Sequence, residues 1–192
     1  MSRIFNRNSD SSLIRRIAAR DEFAARALVA RKLQRIVSFT YQMMGELDEA
    51  GEIAKQVFVR VWHCADVFPA RDVNVDIWMH SIALAICRSR IVVSCRSVDG
   101  ASVATVALDE SEQLLADLIP YRPILNRVRD ALMGLPVRQR EALILVHYQK
   151  LSLVEAAQVM STGVEVIEEL LLSARRLMEQ QLLDPIFGRR CE

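Results

Sequence analysis

Between Ser152 and Leu182, apolar residues recur at spacings of three and four on both sides of a short break, Ser161, Thr162 and Gly163. Such spacing is helical rather than extended, and two helices joined by so short a turn read as a helix-turn-helix. In the second of them Val164, Ile167, Leu171, Ala174, Met178 and Leu182 share one face, as packing requires. Glu165, Glu169, Leu172 and Arg176 lie off that face. Two capping boxes are expected at the helix starts, Ser152 with Glu155 and Thr162 with Glu165, each pairing a hydroxyl and a carboxylate with free backbone N–H groups.

The second helix of such a motif normally enters a DNA groove, where lysine and arginine meet phosphate. Here those positions hold Glu165, Glu168 and Glu169, and only Arg175 and Arg176 follow near the helix end. The imbalance extends beyond one helix. Residues 1–96 carry 15 Lys and Arg against 10 Asp and Glu, while residues 97–192 carry 10 against 14. A DNA-binding module usually has the opposite sign, because counterion release at phosphates supplies most of its sequence-independent affinity.

Upstream, Ser11 or Ser12 is placed to cap a helix pair or one long helix that ends at Gly45, with Leu13, Ile17, Leu28, Leu33 and Ile36 at helical spacing. A further helix sets Ile53, Val57, Val61 and Cys64 on one face. After the break at Pro69, a third runs through "VDIWMHSIALAICRSRIVVSC", with Ile82, Ile86 and Cys87 as its seam. Arg31, Lys32 and Arg35 read as a solvated stripe, and Trp62 and Trp78 as core. From Ser97 to about Pro123 the helical pattern dissolves around Gly100, two prolines and a local acidic excess, which reads as a linker with room for one short helix. Four helices with short turns follow. The boundaries expected are a tail over 1–11, a helical domain over 12–96, a linker over 97–122, a helix-turn-helix domain over 123–182 and a tail over 183–192. The fold class expected is all-α, two small helical domains joined by a flexible linker.

The longest apolar run is interrupted by Arg88 and Arg90, which argues against a membrane span. The start lacks the apolar segment of a secretory signal and reads as part of the folded protein. Cys64, Cys87, Cys95 and Cys191 show no CxxC spacing, so a zinc or redox motif is unsupported and a reducing cytoplasm fits. His63, Cys64, His80, Cys87 and Cys95 could be assembled into a metal site, but buried free cysteines and ordinary histidines are the better reading. No nucleophile with a base, glycine-rich phosphate loop or carboxylate pair stands out, so neither an enzyme nor a cofactor or metal is expected.

In order and spacing these segments resemble the extracytoplasmic-function (ECF) group of bacterial sigma-70 factors, over about residues 12–182. "ARDEFAARALVARKL" looks like that family's opening helix, and "DEAGEIAKQVFVRVW" like its helix that docks on the clamp of RNA polymerase. "IWMHSIALAICRSR" looks like the tryptophan-containing helix that works on the minus-ten promoter element. "ALMGLPVRQREALILVHYQKLSLVEAAQVM" follows the family's Leu-Pro, Arg and Glu-x-Ala pattern. The resemblance implies polymerase contacts at Glu52, Lys55, Gln56 and Arg60. It implies DNA contacts at Trp78, Arg88, Arg90 and Arg96, and in the helix-turn-helix at Thr162, Glu165, Glu168, Glu169, Arg175 and Arg176. The departures are systematic: Lys55 stands in the docking helix, Ala85 and Ser89 take the places of the melting helix's Asn and Asp, and the recognition helix is acidic. The implied partners are core RNA polymerase, promoter DNA with weakened readout, and an anti-sigma factor. Two readings follow: an alternative sigma factor, or a sigma-like decoy that keeps its protein-binding surfaces with little promoter recognition. A helix-turn-helix regulator that acts without polymerase is a third, disfavoured by the match in the first domain.

Overall fold

The structure, a computed structural model, describes residues 9–68, 74–96 and 122–183, apart from the side chains of residues 94–96 and 122–125. The described residues form helices α1 Asp10–Ala18, α2 Glu22–Met44, α3 Leu47–Cys64 with a following 3-10 turn Ala65–Val67, and α4 Val75–Arg96. They continue as α5 Arg122–Met133, α6 Val137–Leu143, α7 Leu153–Met160 and α8 Val164–Leu183. No described residue is in a strand. The all-α class follows. Of the linker expected over 97–122, residues 97–121 with its short helix lie outside the described residues, as do the break at Pro69 and most of both tails, while residue 122 already belongs to α5.

Local chemistry sets the helix boundaries. Ser9, rather than Ser11 or Ser12, caps α1: its Oγ accepts from the Ser12 N–H at 3.2 Å, because the helix begins two residues earlier than its apolar pattern suggests. The segment after it is a helix pair, not one long helix. Arg20 takes a left-handed φ of 63°, and the Asp21 carboxylate accepts from the N–H groups of Phe23 at 2.9 Å and Ala24 at 3.2 Å, starting α2. Gly45 ends α2 at φ 84°, its N–H bonding the Tyr41 carbonyl at 2.8 Å. A Cβ at Gly45 would lie 3.2 Å from Met133 Cε, the flexible end of a side chain, so it is the left-handed turn that makes glycine the fitting residue here.

The capping box expected at Ser152 and Glu155 is formed in full, which satisfies two orphan donors and contributes on the order of 1 kcal/mol. The second box is not seen. Helix α8 begins at Val164 with Gly163 before it, and the Ile167 N–H bonds the Gly163 carbonyl. Thr162 therefore sits one residue too early, and the Glu165 carboxylate folds back toward Gly163 instead.

The core is one contiguous cluster running from Leu13 and Ile14 of α1 to Ile167 and Ala174 of α8. Helix α4 lies at its centre, packed on α2 and α3 and also on α7. Its buried residues, Val75, Ile77, Met79, His80, Ala83, Leu84, Ile86 and Cys87, surround the helix instead of forming one stripe, as a helix enclosed by neighbours requires. Burial pushes the Cys87 thiol up to about 12, consistent with a packing residue and not a reactive one. The expected core face of α3 is seen at Ile53, Val57 and Val61, with Cys64 half-buried. Leu33, though at helical spacing, is 43% exposed, because the buried line of α2 passes through Ala24, Leu28, Ile36, Phe39 and Met43.

The stripe Arg31, Lys32 and Arg35 is not simply solvated. Lys32 Nζ lies 2.7 Å from both Asp10 Oδ2 and Asp76 Oδ1, with 12% of its side chain exposed. Arg31 reaches Asp10 at 3.1 Å and Arg35 reaches Asp76 at 3.3 Å. Three helices, α1, α2 and α4, meet at this network, and carboxylates contributed from 22 residues before and 44 residues after Lys32 turn a cationic stripe inward.

Candidate nucleic-acid and partner surfaces

On α3, Glu52, Lys55, Gln56 and Arg60 are all exposed. Their spacing of three and four puts them on one face, with Val59, 57% exposed, beside them. Lys55 donates to Glu52 Oε1 at 2.5 Å, a surface pair of small energetic weight. The face opposite holds Ile53, Val57 and Val61 in the core. Burial of one side of α3 thus fixes the presentation of the other.

On α4 the expected DNA-contact residues do not form one surface. The Trp78 ring is half-buried and packs against Phe68, 5.0 Å between centroids. Arg88 and Arg90 are two residues apart and point to different sides of the helix. The side chain of Arg96 lies outside the described ones. Arg88 is engaged already: its Nε donates to Glu141 Oε1 and its Nη2 to Glu141 Oε2, both at 2.7 Å. The Glu141 side chain has no solvent exposure, while that of Arg88 is 41% exposed. Hydrogen bonding to Glu141 holds the Arg88 guanidinium above its ordinary pKa.

This pair belongs to a polar seam between α2 and α4 on one side and the C-terminal helices on the other. Arg140, next to Glu141, donates Nη1 to the Met43 carbonyl at 3.1 Å and Nη2 to the Leu135 carbonyl at 3.2 Å and to the Met133 carbonyl. A buried cation thereby meets unpaired carbonyls at the ends of α2 and α5, where the helix dipoles favour it. Past Leu143 the helix widens into a π turn, Ile144–Tyr148, in which the Gln149 N–H bonds the Ile144 carbonyl five residues back. That widening delivers Gln149, 4% exposed, into the seam. Its carbonyl accepts from Arg35 Nη2 at 2.6 Å, and its amide donates to Gln42 Oε1 at 3.3 Å. His80, fully buried, faces the same amide and donates Nδ1–H to the Asp76 carbonyl at 2.6 Å. Burial lowers its pKa. His80 and Cys87 are thus accounted for by packing and hydrogen bonding, and among the described residues no three His, Cys, Asp or Glu side chains are placed to hold a metal.

Sequence reasoning missed Glu141, Arg140 and Gln149. A signal was present: Glu141 stands at the spacing of the buried Ile144 and Leu145, so a carboxylate falls in an apolar register. Its partner, 53 residues away, was not readable from spacing.

On α8 the expected division holds. Ile167 and Ala174 are buried and Val164, Leu171, Met178 and Leu182 are half-buried, whereas Glu165, Glu168, Glu169, Arg175 and Arg176 are exposed. Thr162 is half-buried in the turn. Leu172 and Val166, 56% and 39% exposed, share the outer surface with the acidic residues. The first two turns of this outer face carry three carboxylates and no cation.

No family profile matches the chain. It is 25% identical over 181 residues to the ECF RNA polymerase sigma factor SigW of Bacillus subtilis (strain 168), covering 89% of this chain and 95% of that protein. The structure is similar to that of CnrH in complex with the cytosolic domain of CnrY, with TM-score 0.69 and 22% identity over 90% of this chain and 96% of that one. It is also similar to the sigma factor RpoE of Bartonella quintana in complex with the anti-sigma factor NepR, with TM-score 0.66 and 21% identity over 82% and 95%. The solved structures establish the fold, and the sequence relatives extend the likeness along nearly the whole length. In sequence and in the arrangement of its helices, the chain is similar to extracytoplasmic-function sigma factors.

Proposed function

We propose that the chain is an alternative sigma factor that binds core RNA polymerase and directs it to promoters. The observation that carries this reading is the outward face of α3, where Glu52, Lys55, Gln56, Val59 and Arg60 stand exposed on a helix whose other side is locked in the core. A rigid helix with a mixed charged and apolar outer face suits docking on a protein surface, and it occupies the place of the polymerase-docking helix in the resemblance. The proposed units are residues 12–96 for polymerase and the minus-ten element and residues 123–182 for the upstream element. The chain acts by binding and not by catalysis. No described helix is long and apolar enough to cross a membrane, and the proposed place of action is the cytoplasm, beside the polymerase. The complex of RpoE with the anti-sigma factor NepR supports an anti-sigma partner for this chain too.

Lys55→Glu combined with Arg60→Glu should weaken binding to purified core polymerase by about tenfold or more through lost charge complementarity, leaving the fold intact because both positions are exposed. Fluorescence titration checks this. Unchanged affinity would move the docking surface off α3. The exposed Glu165, Glu168 and Glu169 favour a second reading, a sigma-like protein that keeps partner binding with little promoter recognition.

A further inference from the structure

The outer face of α8 divides by charge about its midpoint. Within about 60° of Leu172 around a helix of 3.6 residues per turn, Glu165, Glu168 and Glu169 stand on the N-terminal side and Arg175, Arg176 and Glu179 on the C-terminal side, all exposed. Among the described residues none of Glu165, Glu168, Glu169, Arg175 and Arg176 takes part in an ion pair. They do not satisfy one another within the helix, because Glu168 and Arg175, like Glu169 and Arg176, stand two turns apart, about 10.5 Å along the axis. Leu172, 56% exposed, lies between the two charged groups.

A second copy of the same face supplies what is missing. We infer that two copies of the chain associate through α8, antiparallel, about a twofold axis at Leu172. Such a contact is isologous, each patch meeting itself reversed. The reversal sets Glu168 and Glu169 of one copy beside Arg175 and Arg176 of the other, and the same again across the axis, while the two Leu172 side chains meet at the centre. A parallel pairing would set acid on acid and base on base. Glu165 and Glu179 fall opposite each other at the two ends of the contact, the least favourable point of the pairing, where solvent and salt screen like charges. Overall repulsion between copies is slight, since the formal net charge of the chain is +1, close to the value at which proteins associate most readily. One helix pair buries less than the roughly 1,200 Å² of a stable interface, and exposed ion pairs contribute little strength, so the dimer is weak and forms only at high concentration. Pairing accounts for carboxylates on a face where phosphate would be repelled, and it depends neither on polymerase nor on promoter recognition.

Sedimentation equilibrium of the full chain at submillimolar concentration and low salt should show a monomer–dimer equilibrium that shifts toward monomer as salt rises. Glu168→Arg with Glu169→Arg makes the centre of the face wholly basic, and Arg175→Glu with Arg176→Glu makes it wholly acidic. Each variant alone should dimerise at least about tenfold more weakly than the wild type, because like charges then meet across the axis. Mixed in equal amounts, the two should recover a dimer, since every contact then sets a cation against a carboxylate. All four positions are exposed, and recovery on mixing shows in the same experiment that both variants are folded. A wild type that stays monomeric throughout overturns the inference and leaves the face to a partner of different sequence. A dimer that survives both reversals also overturns it, by placing the contact on another surface, and so do two variants that remain apart when mixed.

Discussion

Glu168→Lys combined with Glu169→Arg should raise the affinity of the chain for duplex DNA by at least about tenfold at low salt, and the gain should shrink as salt rises. Both carboxylates are exposed on the outer face of α8, so the substitutions disturb no packing. They exchange two negative charges for two positive ones on the face that a recognition helix turns to DNA. Each new phosphate contact releases about one counterion, which steepens the slope of log affinity against log salt by about 0.9. Because Glu165 lies four residues before Glu169, the Glu169→Arg change also turns a like-charge pair into an attractive one, worth a few tenths of a kcal/mol to the helix. Binding to core polymerase through α3 should not change. A salt-titrated anisotropy measurement decides the matter: a flat response would show that this face of α8 does not oppose DNA.

The largest effect on stability is expected at Phe39. Its ring is fully buried and meets the His80 ring edge-on, 5.2 Å between centroids, on the side of α2 that faces α4. Phe39→Ala removes that contact and leaves a cavity beside an imidazole and the neighbouring seam, where the helices cannot close in without breaking the hydrogen bonds of His80 and Gln149. Losses for such truncations run at about 3–5 kcal/mol, which for a chain of this size corresponds to a fall in Tm of roughly 6–20 °C. Thermal unfolding followed by circular dichroism checks it. A fall of only a degree or two would mean that α2 and α4 do not meet through this ring.

How much of this was legible in the sequence depends on the range of the interaction. The outer and inner faces of α8 could be read because both are set within one helix by spacings of three and four. The same holds for α3, where Ile53, Val57 and Val61 bury one face and thereby expose Glu52, Lys55, Gln56 and Arg60. Boundaries were less legible, since Ser9, Ser11 and Ser12 are chemically equivalent caps and only the backbone path selects among them. Thr162 and Glu165 had the residue types of a capping box, but α8 starts one position later than the box needs. Pairings across the chain were not legible at all. Lys32 carries nothing in its neighbourhood to announce Asp10 and Asp76, and Arg88 nothing to announce Glu141. Periodicity reports which side of a helix is covered, not what covers it. For that reason Arg88 read as a free phosphate ligand, whereas the structure shows its guanidinium occupied.

The measurement that tests the account most directly is transcription by purified core RNA polymerase supplemented with this chain, across fragments of the genome that encodes it. Specific transcripts above the core-only background are the predicted result, and they would place Glu165, Glu168 and Glu169 clear of essential promoter contacts. The absence of transcripts, from polymerase shown to be active with another sigma factor, would contradict it and leave the partner-binding decoy as the reading.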